Sequence, residues 1–86
     1  MDYLHRDFQG DQRTIVEVTL DAQANVMLLD DSNYSAYRAG DGYRYIGGFA
    51  ERSPIRLRPP HAGNWHVVID LGGCAGALRA GIAILN

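Results

Sequence analysis

Lysine is absent from this chain; all eight basic residues among its 86 are arginine. A conventional phosphate loop, which needs a lysine, is therefore excluded, although Leu71-Gly72-Gly73-Cys74-Ala75-Gly76 has the glycine content of one. No long helix is predicted after that segment to receive an anion at its N-terminus, so it reads as a hairpin turn. Cysteine is nearly absent too. Cys74 alone precludes an intramolecular disulfide or a cysteine-based zinc motif within one chain. It has no basic or histidine neighbour in sequence to lower its pKa, which argues against a nucleophile. Nothing approaches the roughly 18 consecutive apolar residues of a membrane span. The start, Met1 to Asp7, lacks the basic-then-apolar pattern of a secretory leader, so a cytoplasmic location is expected. A strong charge excess is also missing. The formal net charge of −2 gives no global attraction to phosphate backbones, and nucleic-acid binding is disfavoured. Ser32, Ser35 and Ser53 sit in no elbow-like context for a nucleophile.

What is present describes a folded β-domain. With 47% hydrophobic and 21% charged residues the chain has the composition of a globular protein. Its length predicts one domain, residues 1–86, with a thin core that buries only about 60–65% of the unfolded surface. In Trp65 to Leu71, Trp65, Val67, Ile69 and Leu71 share one strand face and His66, Val68 and Asp70 the other. Ile55-Arg56-Leu57-Arg58 alternates likewise, and the two segments read as a half-buried antiparallel pair around the Pro59-Pro60 loop. Thr14 to Leu20 alternates with β-branched residues, and Asn25 to Leu29 is a short apolar run; a hairpin is predicted for these two. Asp30 to Asn33 offer helix N-caps ahead of Tyr34 to Arg38, with Gly40 as a stop, for one or two helical turns. Gly42 to Phe49 has an aromatic strand signature that Gly47-Gly48 bends or ends. Ala77 to Leu85 forms a last strand, with Leu78, Ala80, Ile82 and Ile84 on one face. About six short strands separated by turns predict an antiparallel sandwich or a partly open barrel.

Two groups of polar residues invite functional readings. Tyr37, Tyr43, Arg44, Tyr45 and Arg52 form an aromatic and arginine-rich stretch suited to a small ligand, a carbohydrate or a protein partner. The bland reading has these tyrosines covering the core and the arginines solvated. The second group is His5, Asp7, His66 and Asp70: His66 and Asp70 share a strand face, as do His5 and Asp7 if the N-terminus is extended, and their convergence would give an acid/base or metal site. Its bland reading is a solvated strand face, and no metal or other cofactor is assigned. Trp65 reads as core, and His61 as an exposed loop residue.

Leu4-His5-x-Asp7, Tyr43-Arg44-Tyr45-x-Gly47-Gly48, Arg52-Ser53-Pro54 and Gly63-x-Trp65-His66-Val67-Val68-x-Asp70-Leu71-Gly72-Gly73 occur in order along nearly the whole chain. Together they resemble a small bacterial domain-of-unknown-function family, whose members occur alone or joined to Toll/interleukin-1 receptor (TIR) domains. The resemblance implies a compact all-β, antiparallel β-sandwich of jelly-roll character with at most one short helical segment. It carries no known activity and no catalytic residue. The leading functional expectation is a non-enzymatic binding or sensing module. An acid/base or metal-dependent enzyme using the His/Asp group is the alternative, and a self-associating unit that pairs through exposed sheet edges is the third reading.

Overall fold

The computed structural model describes residues 3–70 and 79–85. Among these residues the elements run β1 (Tyr3–Gly10), β2 (Ile15–Leu20), β3 (Ala24–Asp30), α1 (Asp31–Ala39), β4 (Ile46–Ala50), β5 (Ile55–Leu57), β6 (Gly63–Asp70) and β7 (Ala80–Leu85). They form a four-stranded sheet in the order β1-β6-β3-β4 and a three-stranded sheet in the order β5-β2-β7. All pairings are antiparallel. The protein is an all-β sandwich with one short helix, as its strand pattern predicts. No described helix is long and apolar enough to cross a membrane. Leu71, the turn expected at Gly72 to Gly76 with Cys74, and the start expected for the last strand at Ala77 and Leu78 lie outside the described residues.

The chain changes sheet at every described strand-to-strand connection except β3 to β4, which runs through α1. This alternation is the jelly-roll pattern, and it corrects two pairings. β2 and β3 form no hairpin: they lie in opposite sheets, with Val16 and Val18 of one packed in the same core as Val26 and Leu28 of the other. β5 and β6 are likewise separated, β5 pairing with β2 and β6 with both β1 and β3. A short polar turn between two apolar strands permits either edge-to-edge pairing or face-to-face stacking. Here the strands stack face to face, and β3 and β6 take the central places of the larger sheet.

The core between the sheets contains Val16, Val18, Val26, Leu28, Trp65, Val67 and Ile69, flanked by residues such as Phe8, Ile55, Leu57, Ile82 and Ile84. Trp65, 4% exposed, belongs to it as predicted. A second cluster, Met27, Leu29, Tyr37 and Val68 with Tyr3, Tyr34 and Tyr43 around it, lies on the other face of β3 and β6, under α1. β6 is thus covered on both faces rather than half-buried: Trp65 through Asp70 are all buried. The double cover explains the uninterrupted apolar run Val26-Met27-Leu28-Leu29, which alternation alone does not produce.

Helix α1 begins where Asp30 Oδ1 accepts from the Asn33 N–H at 2.8 Å. It stops at Gly40, which adopts φ 77° and donates to the carbonyls of Ala36 and Tyr37. Its nine residues make about two and a half turns, slightly more than the cap spacing alone implied. The aromatic segment that follows is not a strand until Ile46, and Gly47-Gly48 lies inside β4 rather than ending it. Gly47 has φ 112°, and a Cβ there would stand 2.3 Å from the Val26 carbonyl oxygen. The glycine therefore allows β4 to approach β3 closely. Gly48 has φ 148° but open space around it. Gly48→Ala should consequently cost about 1–3 kcal/mol from backbone strain alone. Gly47→Ala should cost more, because the strain is joined by a backbone clash. Urea unfolding midpoints at unchanged m-value measure the difference, and equal costs would refute the close-approach argument.

Candidate functional site

Strand register places the polar residues of the outer face in rows. Across β3, β6 and β1 these rows are Leu29, His66, Asp7; then Met27, Val68, His5; then Asn25, Asp70, Tyr3. Helix α1 lies over them. Asp31, Tyr34, Tyr37 and Arg38 are spaced three or four apart, which brings them to one side of the helix.

His66 is buried, and both of its ring nitrogens are engaged. Its Nε2 lies 2.5 Å from Asp31 Oδ1 and its Nδ1 2.8 Å from His5 Nε2. The Asp31 side chain is 67% exposed and also accepts from Asn64 Nδ2 at 2.8 Å. Hydrogen bonding from His66 and then Asn64 holds the Asp31 carboxyl below the usual carboxylate range. An ionised Asp31 can only accept, so Nε2 of His66 carries its proton. A neutral His66 then presents a bare Nδ1, which accepts from Nε2–H of His5, and a neutral His5 is left with a bare Nδ1. That last nitrogen meets no described hydrogen-bond donor. The three side chains form a relay, Asp31 to His66 to His5, with its open end at the surface.

Tyr34 fixes the relay from above. Its ring stacks on His5, with centroids 4.2 Å apart and planes 9° apart, and on His66 at 4.3 Å and 12°. The two imidazoles lie side by side, 5.1 Å between centroids, so the phenol ring spans their hydrogen bond. Desolvation, reinforced by the Tyr3 hydroxyl 3.2 Å away, pushes the Tyr34 hydroxyl up to about 12. Partial burial holds His5 below its ordinary pKa; the neighbouring His66 acts in the same sense, Asp7 opposes it, and Arg38 adds a smaller lowering. The Arg38 guanidinium itself lies 5.8 Å from the Tyr34 ring centre.

Of the four residues singled out from strand spacing, the structure joins His5 to His66, sets Asp7 beside them in register, and sends Asp70 elsewhere. Four residues along a strand span about 13 Å, so a shared face did not bring Asp70 to His66. Asp70 instead accepts from the Tyr37 hydroxyl. Tyr3 and Tyr43 meet Tyr37 edge-on at centroid distances of 5.3 and 5.2 Å. The carboxylate that does reach His66 is Asp31, whose place beside a helix start reads as capping. Its three-residue spacing from Tyr34 was the available signal.

The aromatic and arginine group divides in three. Tyr37, on α1, is buried against the larger sheet and Tyr43 half-buried beside it, while Arg44 and Tyr45 are exposed. Arg52 lies beyond Ala50, at the opposite end of β4, near Asp21, Glu51 and Ser53. Arg44 and Tyr45 border a cavity of about 380 Å³ at one end of the sandwich, whose floor includes Leu28, Ile46 and Trp65 and whose rim adds His61. Asn33 Oδ1 accepts from the Arg44 backbone N–H at 2.7 Å, tying this loop to the helix start. The Arg44 guanidinium pairs with no described residue. A hollow of similar size near Gly10 and Gly63 offers fewer uncommitted groups, because Asp11 and Thr14 close their own turn.

These features define a small jelly-roll sandwich with a helix docked on its larger sheet, a surface-ended histidine relay and a groove that Tyr45 and His61 help to line. The chain belongs to the DUF1883 family, described as a domain of unknown function, which matches residues 1–86. No curated protein and no solved structure matches it.

Two outcomes test the bonding described. Tyr37→Phe removes a donor from the buried Asp70 carboxyl and should destabilise by about 1–3 kcal/mol in chemical denaturation; a neutral result would sink the assignment. For Asp31 the folded pKa lies below the unfolded one, so its contribution is present above the ordinary value of 3.8 and is lost as pH falls through the depressed value. Melting temperature followed from about pH 5 to pH 2 should therefore fall less steeply in Asp31→Asn than in the wild type.

Proposed function

We propose that this domain is a non-enzymatic recognition module, and that its ligand-facing surface is the groove bordered by Arg44, Tyr45 and His61. One observation carries the reading: the Arg44 backbone is anchored to Asn33 while its side chain, without a described partner for the guanidinium, borders a cavity that Tyr45 and His61 also line. Such preorganisation lowers the ordering cost of binding. The cavity volume falls within the range of small-molecule sites. Tyr45, 49% exposed, supplies planar apolar surface, and the buried Trp65 behind the groove fixes its rim, its Nε1–H donating to the His61 carbonyl at 3.1 Å. The His61 Nδ1 lies 3.1 Å from the Ala62 carbonyl, which assigns the proton there and leaves Nε2 as an acceptor. The favoured ligand is small, with a flat or sugar ring and an anionic substituent for Arg44. A sensing role, which the occurrence of some members of the resembled bacterial family beside TIR domains suggests, fits this reading. Tyr37, Tyr43 and Arg52 fall outside the contact surface in it.

A thermal-shift screen of sugars, nucleotides and anionic metabolites, followed by amide shift mapping, tests it. A hit should perturb Tyr45, His61 and Trp65. Arg44→Ala should weaken it tenfold or more at unchanged melting temperature, because Arg44 is exposed. A hit that maps elsewhere, or that ignores Arg44→Ala, would overturn the assignment.

A further inference from the structure

We infer that the open end of the Asp31–His66–His5 relay is a site for a borderline divalent transition-metal ion, of the zinc or copper class, held by His5 Nδ1 and the Asp7 carboxylate. The inference is independent of the groove. Metal-bound imidazoles characteristically donate their second ring N–H to an acceptor that fixes the tautomer and raises ligand basicity. His5 already has that arrangement: its Nε2 is committed to His66 Nδ1 at 2.8 Å, and His66 Nε2 to Asp31 at 2.5 Å. The hydrogen-bond order leaves the lone pair on Nδ1 of His5, the nitrogen with no described partner. Tyr34 clamps the ring plane by stacking at 4.2 Å.

The second ligand follows from the strand. Asp7 is two residues along β1 from His5, on the same face and exposed, with its Cα about 6.6 Å away. Asp7 also makes no described hydrogen bond or ion pair. Imidazole with carboxylate suits zinc or copper better than calcium or magnesium, which take oxygen ligands. No group of three histidine, cysteine or acidic side chains able to hold a metal forms among the described residues. With two protein ligands, water would complete the coordination of a bound ion, which makes the site open and exchangeable rather than a closed structural one. Asp31 and His66 are positioning residues here, and Arg38, whose charge reaches His5, opposes the cation.

Calorimetric titration of the full chain with zinc chloride alone, at neutral pH, tests the proposal. One ion per chain is expected, lost in His5→Gln. Asp31→Ala touches neither ligand yet should weaken binding about tenfold or more, with Asp31→Asn, which keeps an acceptor oxygen, in between. Arg38→Gln should tighten it. Melting curves of each variant, and copper-induced broadening of the His5 ring resonances in the wild type, separate loss of the site from loss of the fold. Absence of binding would overturn the inference. So would binding that is unchanged in Asp31→Ala, which would reveal an adventitious surface chelate only.

Discussion

Helix α1 covers the outer face of β3 and β6, and the burial it imposes there governs the rest of the molecule. A sandwich sheet ordinarily turns its second face to water, where polar side chains need no protein partner. Once α1 lies on that face, His66 and Asp70, each 8% exposed, must find partners within the protein. Asp31 and His5 serve His66, and Tyr37 serves Asp70. No buried side-chain nitrogen or oxygen among the described residues lacks a hydrogen-bond partner. The helix thus brings both the apolar cover and the polar groups that make the cover tolerable.

The same constraint shapes the edges of the site. Because His66 is shielded and His5 lies on the edge strand β1, the relay runs from an exposed carboxylate through a buried ring to an exposed one. Asn33, at the helix start, extends the control to the other side by fixing the Arg44 backbone. Relay and groove therefore both depend on the N-terminal turn of α1, one through Asp31 and the other through Asn33.

The parts of the fold that were legible in the sequence are those fixed by local periodicity. The faces of β2 and β6, the burial of Trp65, the Ala80-Ile82-Ile84 face of β7, and the Asp30 and Gly40 caps follow from spacing and turn chemistry. Pairing did not follow, because a turn such as Asp21 to Gln23 does not encode whether its strands meet by edge or by face. β1 was read as a strand only conditionally, since an edge strand carrying Leu4, His5, Arg6 and Asp7 toward water has almost no apolar alternation. Of the site, the meeting of His5 with His66 was visible only as a possible convergence of two His/Asp pairs, whereas Asp31 and Tyr34 were hidden by their place on a helix. Their role depends on where α1 docks, a tertiary fact with no local signature.

The register of β1 has a consequence for how the chain reaches this structure. Tyr3 pairs with Asp70 and Gly10 with Gly63, so the first strand is held by one of the last to be synthesised. With the helix-linked β3–β4 pair as the only described neighbours that are also consecutive strands, few contacts are local. The loop-closure entropy of the long pairings is met before their stabilisation arrives, which predicts slow, late closure of the larger sheet. During synthesis β1 must wait, unpaired, until β6 has emerged. His5 and His66 meet only then, so the relay is also a report that the chain has been completed through its sixth strand.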